Sequence, residues 1–232
     1  MKVVILAGGF GTRLSEYTDT IPKPMVPVGG KPIIEHIMDI YSNHGHKDFY
    51  IALGYKGEKI KEHFKNSKKN WNINLIDTGS DTMTGGRLKR LQKYLSNETF
   101  LLTYGDGISD ININEKIKFH KKHKRTITIS AVRPPARFGS LSLNGSIVTN
   151  FKEKQQLGES WINGGFFVIN PSFFDFIEGD ETVLEKEPLE QVTKLKEIHA
   201  FKHEGFWQCM DHKLDKDYLE HLLIEKKAPW IK

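Results

Sequence analysis

Three clusters of residues in this sequence have the types and spacing to do chemistry. The first is Ala7-Gly8-Gly9-Phe10-Gly11-Thr12-Arg13-Leu14, directly after an apolar run. Closely spaced glycines let backbone N–H groups close on an anion, and Arg13 adds a planar cationic fork suited to phosphate. The second is Ile21-Pro22-Lys23-Pro24, where two prolines stiffen the chain around one lysine. Such a segment aims an ammonium with little loss of entropy. The third is Gly105-Asp106-Gly107, at the end of the run Thr99-Phe-Leu-Leu-Thr-Tyr104. An aspartate between glycines at a strand end is placed to hold a metal. A turn or helix-capping aspartate is the plain alternative, and the glycine loop upstream tips the reading toward the metal.

The glycine loop excludes two common phosphate-binding readings. A dinucleotide fingerprint needs a third glycine where Leu14 stands, and a Walker A loop needs a hydroxyl residue where Gly30-Lys31 is followed by Pro32. The ten histidines offer no tight metal spacing, and the single cysteine, Cys209, lacks the neighbours of an activated nucleophile.

The elements that must position these residues follow from periodicity. Lys2 to Leu6, Asp48 to Leu53, Ile73 to Ile76 and Thr99 to Thr103 read as strands. Between them, Lys31 to Asn43 (with Ile34, Ile37, Met38 and Tyr41 on one side), Gly57 to Phe64 and Gly86 to Leu95 read as helices. Alternating strands and helices predict βαβ units, a mostly parallel sheet and ligands beyond the carboxyl ends of the strands. The second half changes character. Ile127 to Val132 reads as a strand, and Leu141-Ser-Leu143 and Ile147-Val148 flank Asn144-Gly145, a type I′ hairpin signal. Trp161 to Ile169 reads as a strand broken by Gly164-Gly165, and a polar helix from about His212 to Glu225 closes the chain.

Composition narrows the partners. The formal charge is +5, but the lysines are scattered, and Lys65 to Lys69 sits among turn formers as a solvated loop. A nucleic-acid role lacks any interleaving of aromatic and basic residues on one element; small anionic substrates with several phosphates fit the excess as well. Nothing approaches the roughly 18 apolar residues of a membrane span. One cysteine allows no internal disulfide and predicts a cytoplasmic protein.

Leu6-Ala-Gly-Gly-Phe-Gly-Thr-Arg-Leu14, followed by Pro22-Lys23-Pro24 and Val28-Gly-Gly-Lys-Pro32, resembles the signature of the sugar-phosphate nucleotidyltransferases. The resemblance implies one domain: a Rossmann-like, mostly parallel α/β core with antiparallel additions and a C-terminal helix. Residues of about 1–110 would bind a nucleoside triphosphate and about 111–232 the sugar phosphate. By the same resemblance, Arg13 and Lys23 contact the triphosphate, and Leu6, Ala7, Gly8, Gly9, Gly11 and Thr12 cradle the nucleotide. Asp106 and Asp211 hold Mg²⁺, and Lys154 contacts the sugar phosphate. Glu153, Asn163 and Gly164, with Gly165 beside them, match positions that bind sugar hydroxyls; for Glu153 a surface ion pair with Lys152 or Lys154 stays open. The usual Glu-Lys-Pro is here Glu153-Lys154-Gln155.

A narrower resemblance runs from Met1 to Trp230. Asp77-Thr-Gly79, Met83-Thr-Gly-Gly-Arg-Leu-Lys-Arg90, Tyr104-Gly-Asp-Gly107, Arg137-Phe-Gly139 and Phe206-Trp-Gln208 are similar to the glucose-1-phosphate cytidylyltransferases. It implies CTP and a sugar 1-phosphate as partners, no nucleic acid or membrane, and a homo-oligomer. Thr84, Gly85 and Gly86 would lie near the base, Tyr104 and Gly105 would join the substrate site, and Arg87 would either contact the base or cap the glycine-rich turn. The stretch from Phe64 to Asp77 is shorter than in those enzymes, which leaves subunit number and sugar choice open. Direct in-line attack by the sugar phosphate is the implied chemistry. Another phosphorylated acceptor, or a nucleotide-sugar-binding module without catalysis, are the alternatives.

Overall fold

Val3, Ile5 and Ala7 face one way from the first strand and Val4 and Leu6 the other, and all five are buried. A strand buried on both faces needs helices on both sides of its sheet, and that is the architecture. The computed structural model describes residues 1–134, 139–153 and 160–231. From β1 (Lys2–Ala7) the glycine loop leads to α1 (Ser15–Thr18) and the short strands β2 (Pro27–Val28) and β3 (Lys31–Pro32). Then come α2 (Ile33–Asn43), β4 (Asp48–Leu53), α3 (Gly57–Phe64) and β5 (Asn72–Asp77). Next are α4 (Thr84–Arg90), α5 (Gln92–Leu95), β6 (Phe100–Tyr104), β7 (Gly107–Ser109) and α6 (Ile113–His123). The second half holds β8 (Ile127–Val132), β9 (Ser140–Asn144), β10 (Ile147–Lys152), β11 (Ile162–Asn163) and β12 (Phe167–Ile169). It closes with α7 (Glu187–Lys194), β13 (Ile198–His203), β14 (Trp207–Cys209) and α8 (Lys213–Ile224).

The main sheet has the order β11-β8-β12-β6-β1-β4-β5, with β13 also paired to β8. β6, β1, β4 and β5 run parallel, while β12 is antiparallel to both β6 and β8. β11 and β12 pair with opposite ends of β8, so they are two pieces of one strand interrupted at Gly164-Gly165-Phe166. The chain runs from β1 outward to β4 and β5, then crosses to the other side of β1 as β6. This reversal opens a crevice between the carboxyl ends of β1 and β6, where ligands bind in open α/β sheets. One face of the sheet packs on α2 and α3 through Ile33, Ile34, Ile37, Met38 and Ile60. The other packs on Leu88, Leu91, Leu95, Phe173 and Phe174. No helix among the described residues is long and apolar enough to cross a membrane.

Three local expectations change. The helix expected from Lys31 starts at Ile33, because Lys31–Pro32 pairs with Pro27–Val28 and Pro32 becomes its N-cap. The helix expected from Gly86 starts two residues earlier, at Thr84, and is divided at Leu91. The hairpin is present, but Ile147 pairs with Asn144, so the turn residues are Gly145-Ser146 and only Gly145 has a positive φ. A type I′ turn needs positive φ at both central residues, and Asn144 instead ends the strand.

Candidate active site

The glycine loop leaves β1 at the crevice and is held by its own backbone. Gly8 O accepts from Tyr55 N at 3.1 Å and from Arg87 Nη2 at 2.9 Å. Gly11 takes a φ of +67°, a conformation glycine adopts without strain, and its carbonyl accepts from Leu14 N at 3.0 Å. Arg87 is 4% exposed and spends its guanidinium on the protein. It donates to Leu53 O, Thr78 Oγ1, Gly79 O and Ser80 O as well as to Gly8 O. These bonds tie the glycine loop to the turn after β5. Burial, with Arg90 nearby, lowers its pKa from the usual guanidinium value.

The absence of a side chain at Gly105 brings the proline-flanked lysine to the strand end. A Cβ there would lie 2.9 Å from Pro24 Cγ and 3.0 Å from Leu6 O, so only glycine admits this approach. Lys23 Nζ then donates to Asp106 Oδ2 and Asp211 Oδ1, each at 2.6 Å. Asp211 comes from the far end of the chain. β14 pairs antiparallel with β7, Cys209 opposite Gly107, and Met210 N donates to Asp106 O at 2.9 Å. Asp215 in the first turn of α8 accepts from the amides of Asp211 and His212, fixing the turn that carries the carboxylate. Arg13 Nη1 reaches Asp211 Oδ2 at 2.8 Å from the other side.

The electrostatics follow from this convergence. Burial works against the charge on Lys23, yet Asp106 and the hydrogen bonds to both aspartates outweigh it and hold its pKa above the ordinary lysine value. Burial likewise opposes ionisation of Asp211, and Lys23 and Arg13 overcome it, holding the carboxyl below the usual range. Ligand atoms of Asp106, Cys209 and Asp211 lie within 4.8 Å of one another. Two carboxylates gathered around one ammonium form a donor set that suits a hard divalent cation completed by phosphate oxygens and water. The Cys209 thiol is a soft donor, and burial, with Asp106 beside it, pushes its pKa up.

Above this cluster lies a cavity of about 490 Å³. Leu6, Ala7, Gly8, Gly9, Gly11, Thr12, Arg13, Lys23, Thr84, Arg87, Tyr104, Gly105, Asp106 and Asp211 all line it, so the structure brings together most of the residues singled out from the sequence. Gly85, Gly86, Glu153, Asn163 and Gly164 are not in its wall. The amides of Gly85 and Gly86 both donate to Thr182 O, and a Cβ on Gly86 would meet Asp180 O at 2.4 Å. These glycines let α4 pack against the 180–182 segment. Asn163 connects to the cavity indirectly, its Nδ2 donating to Tyr104 Oη at 3.3 Å. Glu153 is exposed and forms no ion pair with Lys152 among the described residues. Lys154, Arg137 and Phe138 lie outside the described residues.

Several contributors were not among the residues expected at the site. Phe10 and Ser80-Asp81-Thr82 also line the wall, the Phe10 ring tilted against Tyr55 with centroids 5.1 Å apart. Glu185 accepts from Tyr104 Oη and Thr84 Oγ1, both at 2.7 Å, linking the end of β6 to the start of α4. Burial and this carboxylate raise the pKa of Tyr104, which keeps the phenol a donor. Phe10 lies inside the glycine-loop motif and Asp81 between Asp77-Thr-Gly79 and Met83, so their position was a usable signal. Glu185 arrives from a loop a hundred residues away and carried none.

The chain matches the nucleotidyl transferase family over residues 2–208. It is 49% identical to the glucose-1-phosphate cytidylyltransferase of Salmonella typhimurium, over 99% of this chain and 98% of that protein. It is 40% identical to the probable glucose-1-phosphate cytidylyltransferase of Bacillus subtilis, over 91% of each. The Salmonella alignment spans 253 residues against 232 here, so the relative carries extra residues inside the matched span. Among solved structures, HddC from Yersinia pseudotuberculosis superposes with a TM-score of 0.77 at 26% identity, covering 96% of this chain and 99% of that one. The glycine loop, the strand-end aspartate and the full-length similarity agree: the chain is an enzyme of the nucleotidyl transferase family, of the glucose-1-phosphate cytidylyltransferase kind.

Proposed function

We propose that this enzyme transfers CMP from CTP to glucose 1-phosphate, giving a CDP-sugar and releasing pyrophosphate. The observation that carries the reading is the meeting of Arg13, Lys23, Asp106 and Asp211 on the wall of one cavity beside the glycine loop. The nucleotide and the sugar come from the similarity to glucose-1-phosphate cytidylyltransferases. A phosphate oxygen of the sugar 1-phosphate attacks the α-phosphorus of CTP, and the bond to the bridging oxygen of pyrophosphate breaks. The attacking phosphate is already anionic, so no catalytic base and no covalent intermediate are needed.

Positioning and charge neutralisation then supply the rate. Arg13 and Lys23 orient the triphosphate, which requires Lys23 to exchange its carboxylate partners for phosphate oxygens. Asp106 and Asp211, freed of the ammonium, would hold a divalent cation, proposed as Mg²⁺. The chemistry it supplies when bound is neutralisation of charge on the triphosphate. Lys154, Glu153 and Asn163-Gly164 are assigned to the sugar phosphate by resemblance. Residues of about 1–110 form the nucleotide half and about 111–232 the sugar-phosphate half of one domain, acting in the cytoplasm.

The same reading includes a homo-oligomer. Supporting it, the β9–β10 hairpin turns Leu141, Leu143, Ile147, Val148 and Phe151 to solvent, each more than half exposed. An isolated two-stranded hairpin with so much bare apolar surface is marginal in water, and a second copy is the partner the proposal names.

The test is magnesium-dependent pyrophosphate release with CTP, dTTP and GTP against glucose 1-phosphate and other phosphorylated acceptors. Release with CTP and glucose 1-phosphate alone is the expected result. CTP turnover only with another acceptor would move the sugar assignment, and nucleotide binding without turnover by any pair would overturn the catalytic reading.

A further inference from the structure

Lys116, on α6, is 1% exposed, and no acidic side chain pairs with it among the described residues. Burying an amine without a counter-charge is costly, so its one bond must matter to the fold around it. Nζ donates to Ser130 Oγ on β8. Ser130 in turn holds the break between β11 and β12 at three points. Its hydroxyl donates to Phe166 O at 3.3 Å, its amide to Gly165 O at 3.2 Å, and its carbonyl accepts from Gly164 N at 2.9 Å.

That break is strained. Gly165 has a φ of +70° and Phe166 a φ of +48°, a left-handed conformation unusual for a residue with a bulky side chain. Such a residue persists only where its surroundings over-determine it. The Phe166 ring stacks on Tyr41 at 5.8 Å, and Trp207 Nε1 donates to Gly164 O at 2.9 Å. The bulge sets the side chain before it: Gly165 N donates to Asn163 Oδ1 at 2.8 Å, and Asn163 Nδ2 points to Tyr104 Oη on the cavity wall. Lys116, Ser130, Phe166 and Asn163 thus form one chain of contacts from the core to the edge of the site. Burial pushes the pKa of Lys116 well below that of an exposed lysine, which suits a group used as a hydrogen-bond donor rather than as a charge.

We infer that Lys116, acting through Ser130, is a positioning residue that fixes the Gly164–Phe166 bulge and so sets affinity for the sugar phosphate without touching it. This rests on the sugar-facing role proposed for Asn163, and two separate measurements keep the two apart. The variants are Lys116→Met, which preserves length but removes the donor, and Ser130→Ala, which removes the relay at lower steric cost should the first fail to fold. Amide hydrogen exchange is followed in peptides covering Ile162–Ile169 and, as the control, Ala7–Leu14. Exchange in the first should rise about tenfold or more in either variant, the second should not change, and the double variant should be no worse than either single one. In steady state, KM for glucose 1-phosphate should rise about tenfold while KM for CTP stays within about twofold. Unchanged exchange at 162–169 would overturn the positioning role whatever the substrate proves to be. Raised exchange with both KM values moving together would overturn the assignment to the sugar-phosphate side.

Discussion

Lys23 lies between Asp106 and Asp211 and donates to both, at the point where the proposed function puts a divalent cation. Removing one carboxylate should therefore abolish both turnover and cation affinity. For Asp106→Ala we expect pyrophosphate release to fall by on the order of 10²-fold or more. Mn²⁺ binding, read by electron paramagnetic resonance, should weaken in parallel; near-normal turnover or unchanged Mn²⁺ affinity would remove Asp106 from the metal site. Arg87 presents the opposite case, an arginine in the cavity wall whose hydrogen bonds all serve the fold. Arg87→Met removes five hydrogen bonds that tie Gly8, Leu53, Thr78, Gly79 and Ser80 together, and a loss of about 3 kcal/mol, roughly 6–12 °C in Tm, is expected. If Tm holds while KM for CTP alone rises, the base-contact role for Arg87 is the right one.

At the scale of elements, the device that stands out is the tie between α2, β2 and the end of the chain. His36, buried on α2, has Nε2 2.9 Å from Val28 O, and its Nδ1 receives Trp230 Nε1–H at 3.2 Å. A carbonyl can only accept and an indole can only donate, so the ring is neutral with its proton on Nε2. Burial lowers its pKa from 6.5 to about 4. A depressed histidine pKa means that the unfolded chain binds a proton the folded one refuses between those values. Stability should accordingly fall as pH drops from about 6.5 toward 4, by about 2 to 3 kcal/mol from this residue at pH 4.5. Urea unfolding at pH 7 and pH 4.5 measures it: His36→Gln should shrink the difference by that amount. An equal acid loss in the variant would place the sensitivity elsewhere.

At the scale of the whole molecule, the main sheet is closed by helices on both faces, while β9 and β10 stand apart from it with no buried residue. If a second copy covers them, Leu143→Lys with Ile147→Lys should move the sedimenting species to monomer mass and leave the far-ultraviolet circular dichroism unchanged. A mass unaffected by the two lysines would free the hairpin from any role in assembly. The 253-residue alignment to the Salmonella relative shows that this chain lacks residues present there.

Local pattern and period were legible along the chain. Gly8 to Arg13 read as a glycine-rich loop at a strand end, the prolines around Lys23 as a stiffened cation, and the alternation of strands with helices as a parallel sheet, because each signal is carried by neighbours in the chain. Asp211 was assigned only by resemblance, since nothing within its own segment points to Asp106 more than a hundred residues earlier. The pairing of β14 with β7 is what brings the two carboxylates onto one ammonium. Tertiary structure also shows which groups of a glycine or an arginine the fold itself engages. Gly85 and Gly86 read as a nucleotide-facing loop, but their amides are taken by Thr182 O, and Arg87 has its donors taken by carbonyls. Glu185 and Lys116 had no signature at all, because their significance lies in what packs against them. A motif can be read where both partners lie within a few residues; a hydrogen bond across the fold exists only once the sheet order has set which segments meet.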